Sequence, residues 1–402
     1  MDRIKYQNKA FARPPRDASL PAIGWYLHTP FCTTKCGYCD FYSLPSIPGL
    51  VDQLVHALNA EMAGRDPCRH VESVFIGGGT PTVLPLVALG VVLDSVVGHT
   101  GPVAEFTVEA NPSSADELKL DLLRSRGVNR ISFGAQSFYA EDLAVLQRLH
   151  DPRHIVESVT HARAAGFDNV NLDLIYSVPG QTMGRWRDSL RRAVDLGTEH
   201  LSCYALMYEP GTQLTQLRRH GRIVACDEDL EADMFELTID ELTAAGFEHY
   251  EISNFALPGR RCRSNLIYWQ NREYVGIGPS AVSYLEGIRQ KNVPDIRKYI
   301  EGMQADPESI VVEKEKLAPF DRACETAVQM LRLTEGIRFE LFHRLTGFDA
   351  AVTFAGQIRR YCSAGLMHAT PDTLRLTRRG MLLANRIMSD FLPDVESVAA
   401  NA

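Results

Sequence analysis

The chain has 402 residues, of which 45% are hydrophobic and 23% are charged, and its formal net charge is −8. This composition is typical of a globular protein, and the negative charge argues against a nucleic-acid partner, because proteins that bind the phosphate backbone present basic patches. No apolar run is long enough to span a bilayer, and the polar N-terminus has no signal-peptide core. We therefore predict a cytoplasmic protein without a transmembrane segment, with peripheral membrane contact left open. An odd count of nine cysteines argues against a disulfide framework.

Short apolar segments alternate with longer amphipathic ones along the first half of the chain. After an irregular leader at residues 1–22, the predicted strands are Ile23–His28, Ser73–Ile76, Glu105–Glu109, Arg130–Phe133, Asn169–Ile175 and Leu201–Leu206. Helices are predicted between them, at about Leu50–Ala63, Val83–Val97, Ala115–Ser125, Ala140–Leu146, Pro152–Ala165 and Met183–Leu196. Such alternation predicts βα units around a parallel sheet. The fold class is therefore α/β, with a partial (β/α)6-type, TIM-like barrel.

The pattern changes after the predicted barrel core, which we assign to residues 23–226. Residues 227–305 begin with a helical segment and are predicted to complete the barrel. Residues 306–320 are predicted to be a linker or strap. Residues 321–394 combine helical patterns with a short strand pair, which predicts a small α+β, winged-helix-like C-terminal domain, followed by a tail at 395–402. Because the chain is acidic overall, we interpret this domain as a lid or docking element, not a DNA reader.

Three cysteines with the spacing C-x3-C-x2-C follow the first predicted strand. Cys32, Cys36 and Cys39 are close enough in sequence to converge on one metal centre. A [4Fe–4S] cluster usually takes four thiolates, so three leave one iron open for a small molecule that receives an electron. A structural zinc site needs four ligands, and no second cysteine pair is present, although His28 could serve as the fourth. The triplet alone favours the cluster over zinc.

Other unusual residues also fall at the ends of predicted strands. They are Gly77–Pro81 after the second strand, Glu109–Pro112 at the end of the third, Gly134–Phe138 after the fourth, and Asp173 within the apolar fifth. Each has a structural alternative, since a triple glycine often makes a tight turn and a buried carboxylate can be paired in the core. In a barrel, however, the carboxyl ends of the strands form the functional face. Their common position on that rim predicts a functional site.

Four motifs carry a resemblance to a known family. They are Tyr-x-His-x-Pro-Phe-Cys-x3-Cys-x-Tyr-Cys at 26–39, Gly-Gly-Gly-Thr-Pro-Thr at 77–82, Gly-Val-Asn-Arg-Ile-Ser-Phe-Gly-Ala-Gln-Ser-Phe at 127–138, and Asn-Leu-Asp-Leu-Ile-Tyr at 171–176 with Pro-Gly-Gln-Thr at 179–182. Over about Tyr26 to Asn385 the chain resembles the radical S-adenosylmethionine (SAM) superfamily. Within it, the chain is most similar to the branch of the oxygen-independent coproporphyrinogen III oxidase HemN and the heme chaperone HemW, and closest to HemW.

The resemblance implies a radical SAM barrel and a set of cofactor residues. Cys32, Cys36 and Cys39 would hold the [4Fe–4S] cluster, whose open iron would chelate SAM. An electron from a donor such as flavodoxin or ferredoxin would then release methionine and a 5′-deoxyadenosyl radical. By position, the residues that match the cofactor-binding residues of this branch are Tyr26, Tyr38, Gly78, Gly79, Thr80, Glu109, Gln136, Arg148 and Asp173.

Three features favour the chaperone side of the branch over the oxidase side. Phe41 stands where the oxidase has a further cysteine, and the segment before the first cysteine is shorter than in the oxidase. In addition, Asn265, Tyr268 and Trp269 resemble the heme-binding motif His-Asn-x-x-Tyr-Trp of HemW. The resemblance thus implies heme or a porphyrin as ligand and apo-hemoproteins of the respiratory chain as partners.

The resemblance breaks at one position of the heme motif. Ser264 stands where HemW has histidine, and a serine hydroxyl is a poor axial ligand for heme iron. Cys262 and His249 are alternative ligands, although the sequence favours a buried structural role without iron contact for each. Tyr268 and Trp269 could likewise be core aromatics. Three hypotheses therefore stand: a HemW-type chaperone, a coproporphyrinogen III oxidase, and another HemN-like radical enzyme such as a methylase.

Overall fold

The computed structural model describes residues 20–47, 49–65 and 68–393. The predicted leader up to residue 19 and the predicted tail at 395–402 lie outside the described residues. Within the described ranges, no helix is both long enough and apolar enough to cross a membrane.

Strands and helices alternate through the first part of the chain. The strands are β1 (Ile23–Thr29), β2 (Phe31–Cys32), β3 (Leu44–Pro45), β4 (Val71–Gly78), β5 (Glu105–Ala110), β6 (Arg130–Gln136), β7 (Val170–Tyr176) and β8 (His200–Ala205). The helices are α1 (Leu50–Arg65), α2 (Leu86–Thr100), α3 (Glu117–Ser125), α4 (Ala140–Val145), α5 (Pro152–Ala164), α6 (Met183–Asp195) and α7 (Gln213–Arg219). All six predicted βα units are present. The predicted helix at 83–97 begins later, because Pro85 marks its start and a 3-10 turn, Pro81–Val83, precedes it.

The second part of the chain has shorter elements. Its strands are β9 (Glu248–Glu251), β10 (Asn254–Ala256), β11 (Tyr274–Ile277), β12 (Val282–Leu285), β13 (Ile288–Asn292), β14 (Val311–Lys316), β15 (Ile337–Arg338), β16 (Met367–Ala369) and β17 (Thr373–Leu376). Its helices are α8 (Glu228–Ala244), α9 (Arg263–Trp269), α10 (Ile296–Ala305), α11 (Pro319–Leu331), α12 (Phe339–Thr346), α13 (Ala350–Thr353), α14 (Ala355–Ser363), α15 (Arg378–Met381) and α16 (Ala384–Ser389).

One twelve-stranded sheet organises the molecule. Its order is β14-β13-β12-β11-β1-β4-β5-β6-β7-β8-β10-β9. The run from β11 to β8 is parallel, and antiparallel strands extend it on both sides. The parallel register brings the carboxyl ends of β1, β4, β5, β6 and β7 to one rim. The chain therefore has the predicted α/β fold with a parallel sheet, and the loops with the unusual residues meet at that rim.

The two faces of the parallel strands differ in chemistry. In β6, Ile131, Phe133 and Ala135 belong to the main apolar core. The intervening residues Arg130 and Ser132 border an internal cavity instead. Because successive side chains on a strand point to opposite faces, one face packs against the helices and the other lines the interior. The face of the sheet that borders the cavity is thus polar along much of its length.

Residues 306–320 are not a linker, contrary to the prediction. A 3-10 turn at Pro307–Ile310 leads into β14, which pairs antiparallel with β13 from Ile288↔Lys316 to Asn292↔Val311. The charged side chains of Glu313 to Lys316 are exposed, as is typical of an edge strand.

The C-terminal part forms its own apolar core around Phe342, Phe354 and Phe391. Its three-stranded sheet has the order β15-β17-β16, of which the sequence indicated only the β16–β17 pair. Thr377 caps α15, accepting a hydrogen bond from the Gly380 amide at 3.0 Å. Two short helices, α15 and α16, follow Thr377.

Candidate functional site

A cavity of about 490 Å³ opens at the carboxyl rim of the parallel strands and extends into the sheet interior. Its wall combines the loop after β1 with the ends of β4 to β8. The predicted site residues that line it are Cys32, Cys36, Tyr38, Cys39, Gly78, Gly79, Thr80, Glu109, Gln136, Arg148, Asp173 and Asn265. The sequence motifs, which are far apart along the chain, therefore meet around one space.

The three motif cysteines all border this cavity as free, half-buried thiols. The Cys39 amide donates to the Cys36 carbonyl at 3.2 Å, which closes a turn between the two. Burial raises the pKa of Cys32 and raises that of Cys39 to about 11. Among the residues that the structure describes, no three His, Cys, Asp or Glu side chains are grouped to hold a metal ion. In an iron–sulfur cluster each thiolate binds a different iron, so what the cluster requires is thiols bordering one cavity, as these do.

A polar chain connects the cysteine loop to the strand ends. Arg148 Nη1 donates to Cys36 Sγ at 3.4 Å, and Nη2 donates to the Gly134 carbonyl at 2.6 Å and also to Asn111 Oδ1. Asn111 Nδ2 donates to Thr80 Oγ1 at 2.8 Å, and Thr80 Oγ1 lies 3.7 Å from Cys32 Sγ. Asn111 was not among the predicted site residues, although it lies within the Glu109–Pro112 segment.

Two glycines of the triple-glycine motif line the cavity at points where the main chain is tightly packed against neighbouring protein atoms. Gly78 has φ +95°, and a Cβ there would lie 2.3 Å from the His28 ring. A Cβ on Gly79 would lie 2.6 Å from the Phe31 carbonyl oxygen. Only glycine fits both positions without a shift of neighbouring atoms. The Gly78 amide donates to Glu109 Oε2 at 3.1 Å, so this turn also positions a carboxyl group.

Two carboxyl groups face the cavity from β5 and β7. Enclosure by protein, with the nearby charge of Asp173, raises the pKa of Glu109 to about 8. Burial also raises the pKa of Asp173, an effect that hydrogen bonds oppose, among them one from Asn171 Nδ2 at 2.7 Å. Two neighbouring carboxyls in a low-dielectric site do not ionise together readily. The protonation of the Glu109 and Asp173 carboxyl groups, both hydrogen-bond acceptors, therefore depends on the charge of any ligand that binds next to them.

Glu109→Gln should stabilise the ligand-free protein relative to wild type, by an amount that grows as the pH rises. The pKa of Glu109 is about 8 in the folded protein and 4.5 ordinarily. The protonated carboxyl therefore contributes its full stability below pH 4.5, and this contribution is lost as the pH rises through about 8. We expect the stability difference between Glu109→Gln and wild type to grow by up to about 1.4 kcal/mol per pH unit across this window. Thermal unfolding at successive pH values measures it, with exposed Glu117→Gln as control. A difference that does not vary with pH would contradict the expectation.

Three predicted site residues do not border the main cavity. Tyr26 and Tyr268 line a second cavity of about 300 Å³, together with aromatic neighbours that include Tyr42 and Phe41. Trp269 borders neither of these two cavities, and the Arg332 guanidinium lies 4.3 Å from its ring centroid. The residues of the heme-like motif thus have different surroundings, although α9 carries all of them.

Ser264 is buried in the protein core. Its Oγ lies 3.2 Å from Ser73 Oγ, and its amide donates to Glu105 at 3.3 Å. His249 stacks on Phe255 with the ring centroids 4.4 Å apart. Of the alternative heme ligands considered, only Cys262 borders the main cavity.

Sequence reasoning missed the inner part of the cavity. Polar side chains there include Arg130, Ser132, Asn171 and Ser202. Each lies within a strand, where a polar residue can equally be structural. The signal was the alternation in β6, in which polar or small residues at every second position mark a face turned away from the apolar core.

The fold and this site define a radical SAM protein. The family model described as "Radical SAM superfamily" matches residues 26–193, and the one described as "HemN C-terminal domain" matches residues 317–383. A solved structure described as "Coproporphyrinogen III oxidase (HemN) from Escherichia coli is a Radical SAM enzyme" has a TM-score of 0.79, covering 95% of this chain and 92% of that one. At 24% sequence identity it establishes the shared fold.

The chain belongs to the heme chaperone HemW family. Heme chaperone HemW of Bacillus subtilis (strain 168) is 34% identical over 92% of this chain and 99% of its own length. The relative of the same name from Mycobacterium tuberculosis (strain ATCC 25618 / H37Rv) is 37% identical over 94% of this chain and 97% of its own length. That of Escherichia coli (strain K12) is 34% identical over 93% of this chain and 99% of its own length. Membership of the radical SAM superfamily implies a [4Fe–4S] cluster and SAM in general. The residues present fit both groups, since thiols and a glycine-lined edge border one cavity.

Proposed function

We propose that the protein is a radical SAM heme chaperone, which binds a [4Fe–4S] cluster, SAM and heme and delivers heme to apo-hemoproteins such as those of the respiratory chain. One observation carries the proposal: a chain of the HemW family has its three motif thiols around the same cavity as Gly78 and Glu109. In this proposal Cys32, Cys36 and Cys39 are the cluster ligands. A reduced cluster with bound SAM supplies a radical able to abstract hydrogen, and flavodoxin or ferredoxin is the proposed class of electron donor.

The proposed roles of the chain's own residues follow from their chemistry. Main chain at Gly78 and Gly79 borders the proposed SAM site, and a side chain at either position would collide with His28 or Phe31. Glu109 and Asp173 accept hydrogen bonds from its polar groups. Arg148 helps to position the cysteine loop, because it is held against Cys36 and the Gly134 carbonyl at the same time. Tyr38, Thr80 and Gln136 complete the proposed SAM set from the cavity wall, and Tyr26 would act from the neighbouring second cavity.

Heme contact is proposed for the α9 motif, with Tyr268 best supported. Tyr268 lines the aromatic second cavity with Tyr26 and Tyr42, and aromatic side chains pack well against a porphyrin. Asn265 borders the main cavity, and Trp269 is covered by Arg332, so these two would contribute from other sides of the helix. Burial of Ser264 excludes its hydroxyl from this role in the described conformation.

Heme titration of the anaerobically reconstituted protein tests the proposal. We expect a Soret band that saturates with added heme and that moves to an apo-hemoprotein when one is supplied. An unrelated protein of similar size is the control. A Soret band identical to that of the control would refute heme binding, while the cluster assignment would be unaffected.

Substituting alanine for Ser264 should leave heme binding unchanged. The hydroxyl is buried against Ser73, so its loss should cost about 1 kcal/mol of stability and nothing in heme affinity. Tyr268→Ala, in contrast, should weaken heme binding, because it removes an aromatic wall of the second cavity. Parallel titrations of the two variants compare them directly. Equal heme affinity in Tyr268→Ala and wild type would remove Tyr268 from the proposed heme site.

A second candidate function is a radical enzyme of the oxidase type or a HemN-like methylase. The observation that favours it is the inner part of the cavity, which extends beyond the rim residues to Arg130 and Asn171 and offers space for a substrate. Porphyrin analysis after anaerobic turnover with coproporphyrinogen III tests the oxidase, which must yield decarboxylated product. Mass spectrometry tests the methylase, which must form S-adenosylhomocysteine as well as 5′-deoxyadenosine.

The division of labour along the chain is also proposed. Residues 23–226 and 227–305 would supply cofactor and heme contacts, and the C-terminal unit from residue 321 would act as a lid or docking element. Its separate core around Phe342 supports an independent role. A cytoplasmic location and any peripheral membrane contact stay predictions.

A further inference from the structure

A basic segment of the chain packs against the loop that carries the three motif cysteines. The Leu214 amide, in the first turn of α7, donates to the carbonyl oxygen of Gly37 in that loop at 2.8 Å. A helix rises about 1.5 Å per residue, so the last turn of α7 lies only about 6 Å further along its axis. That turn and the residues after it carry four exposed basic side chains, Arg218, Arg219, His220 and Arg222. Positive charge is therefore concentrated beside the cysteine loop.

The charge of these arginines is not neutralised within the protein. In the described part of the chain, Arg218, Arg219 and Arg222 form no ion pair. The Arg218 guanidinium lies 4.4 Å from the Tyr208 ring centroid, and this cation–π contact leaves its charge in place. The next acidic residue in sequence, Asp227, caps α8 instead, accepting from a first-turn amide of that helix at 3.0 Å. On a chain with a net charge of −8, the segment is a local positive patch that attracts an acidic surface.

Exposed apolar side chains lie around the same loop. Phe41, two residues after the last motif cysteine, is 59% exposed, and Met207 borders the main cavity and is 62% exposed. Leu149 directly follows the arginine that donates to Cys36 and is 71% exposed. Large exposed apolar side chains with a charged rim are typical of protein interaction sites. The surroundings of the cysteine loop thus have the character of a docking site for another protein.

We propose that this surface docks an acidic electron-carrier protein that reduces the cluster. We call it the α7 face and define it as Phe41, Leu149, Met207, Arg218, Arg219 and Arg222. Its position decides the occupant, because an electron carrier must bring its redox centre close to the cluster, and α7 packs on the loop of the proposed cluster ligands. Nucleic acid fits less well, since it requires a more extended basic stripe. The inference rests on the proposed cluster and locates its electron donor, and it does not depend on heme binding.

The docked step transfers one electron and makes or breaks no bond. A reduced carrier such as a flavin hydroquinone anion is oxidised by one electron to the neutral semiquinone, and the cluster is reduced from [4Fe–4S]²⁺ to [4Fe–4S]⁺. The arginines steer the acidic carrier to the face, because long-range attraction raises the association rate. The apolar side chains then exclude water from the contact.

Reduction of the anaerobically reconstituted cluster by flavodoxin, an acidic carrier, tests the proposal. The growth of the electron paramagnetic resonance signal of the reduced cluster in freeze-quenched samples gives the second-order rate constant. We expect this rate constant to fall at least about tenfold at low ionic strength in the triple variant Arg218→Glu, Arg219→Glu, Arg222→Glu. The difference from wild type should narrow as salt is added, because screening weakens the attraction. Photoreduced deazaflavin, which is small and has no acidic face, should reduce both proteins equally.

A second triple variant controls for the change in net charge. It replaces three arginines that are exposed on the C-terminal unit, as Arg359→Glu, Arg375→Glu and Arg386→Glu. The net charge changes by the same amount as in the first variant, and reduction by flavodoxin should keep the wild-type rate. If the first variant does not fold, the corresponding glutamine variant decides, with a rate about threefold below wild type.

Three outcomes would overturn the proposal. The first is an equal flavodoxin rate in the α7-face variant and the control. The second is an equal loss of reduction by deazaflavin, which would show that the arginines support the cysteine loop and not a partner. The third is a wild-type cluster that deazaflavin reduces and flavodoxin does not. In contrast, the expected flavodoxin result in a protein that fails the heme titration would refute the chaperone function and leave the docking surface standing.

Discussion

Combined replacement of Cys32, Cys36 and Cys39 by alanine is expected to abolish the iron–sulfur cluster while the protein still folds. The three thiols border the cavity and are only half-buried, so their removal opens no void in the apolar core. The substitutions remove two weak sulfur interactions, Arg148 with Cys36 and Cys32 with Thr80, and we expect a stability cost of about 1–2 kcal/mol. Cluster loss should be complete, because no ligand of the triplet remains.

Iron content and visible absorbance after anaerobic reconstitution measure this effect, and circular dichroism checks the fold. A variant with Cys226 and Cys362 replaced by alanine is the control, since both are half-buried free thiols that do not border the cavity. It should retain iron and colour. A triple variant that keeps its iron and its brown colour would show that the cluster is held elsewhere.

Alanine at Gly78 is expected to have the second large effect, on both stability and SAM binding. The backbone there has φ +95°, and the added Cβ would lie 2.3 Å from the His28 ring. His28 must then move, although its Nε2 lies 2.9 Å from the Tyr42 carbonyl oxygen. Backbone strain and overpacking together should cost about 2–5 kcal/mol. The turn also carries the amide that holds Glu109, so SAM affinity should fall by at least about tenfold.

Gly180→Ala separates the steric effect from the conformational one. Gly180 has a similar φ of +78°, but no heavy atom lies within 4 Å of an added Cβ. Its substitution should cost only about 1–2 kcal/mol and leave SAM affinity unchanged. Thermal unfolding and equilibrium dialysis with SAM compare the two variants. Equal losses in both would mean that close approach at Gly78 has no special role.

The parallel part of the fold was predictable because its pattern is strong. Buried strands such as β6 and β7 read as short apolar runs, and Asp151, Thr182 and Gly166 mark helix ends by capping chemistry. The antiparallel extension was not predictable to the same degree. β13 and β14 are short, charged and half-exposed, and they are strands only because a neighbouring strand offers hydrogen bonds.

The site shows the same division between local and non-local information. Rim residues such as Gly78, Glu109 and Gln136 could be grouped from the sequence, because loops after parallel strands share one edge. Their cofactor roles stay predictions. Inner residues such as Arg130 could not be recognised, since a polar side chain within a strand can equally be structural. Likewise, the sequence could not show that Tyr26 and Tyr268 border the second cavity, since Tyr26 stacks on Phe75, which lines the main one.

The two ends of the twelve-stranded sheet are protected from self-association in different ways. At β14, alternating lysine and glutamate side chains make the open edge unfavourable for pairing with another apolar strand. At β9, the chain supplies its own cover: the Ile252 amide donates to the Arg332 carbonyl and the Thr334 amide to the Tyr250 carbonyl, each at 3.1 Å. The C-terminal domain therefore also covers a sheet edge that could otherwise pair with another chain. A chain shortened before Arg332 would present unpaired main chain at that edge and would be prone to aggregate.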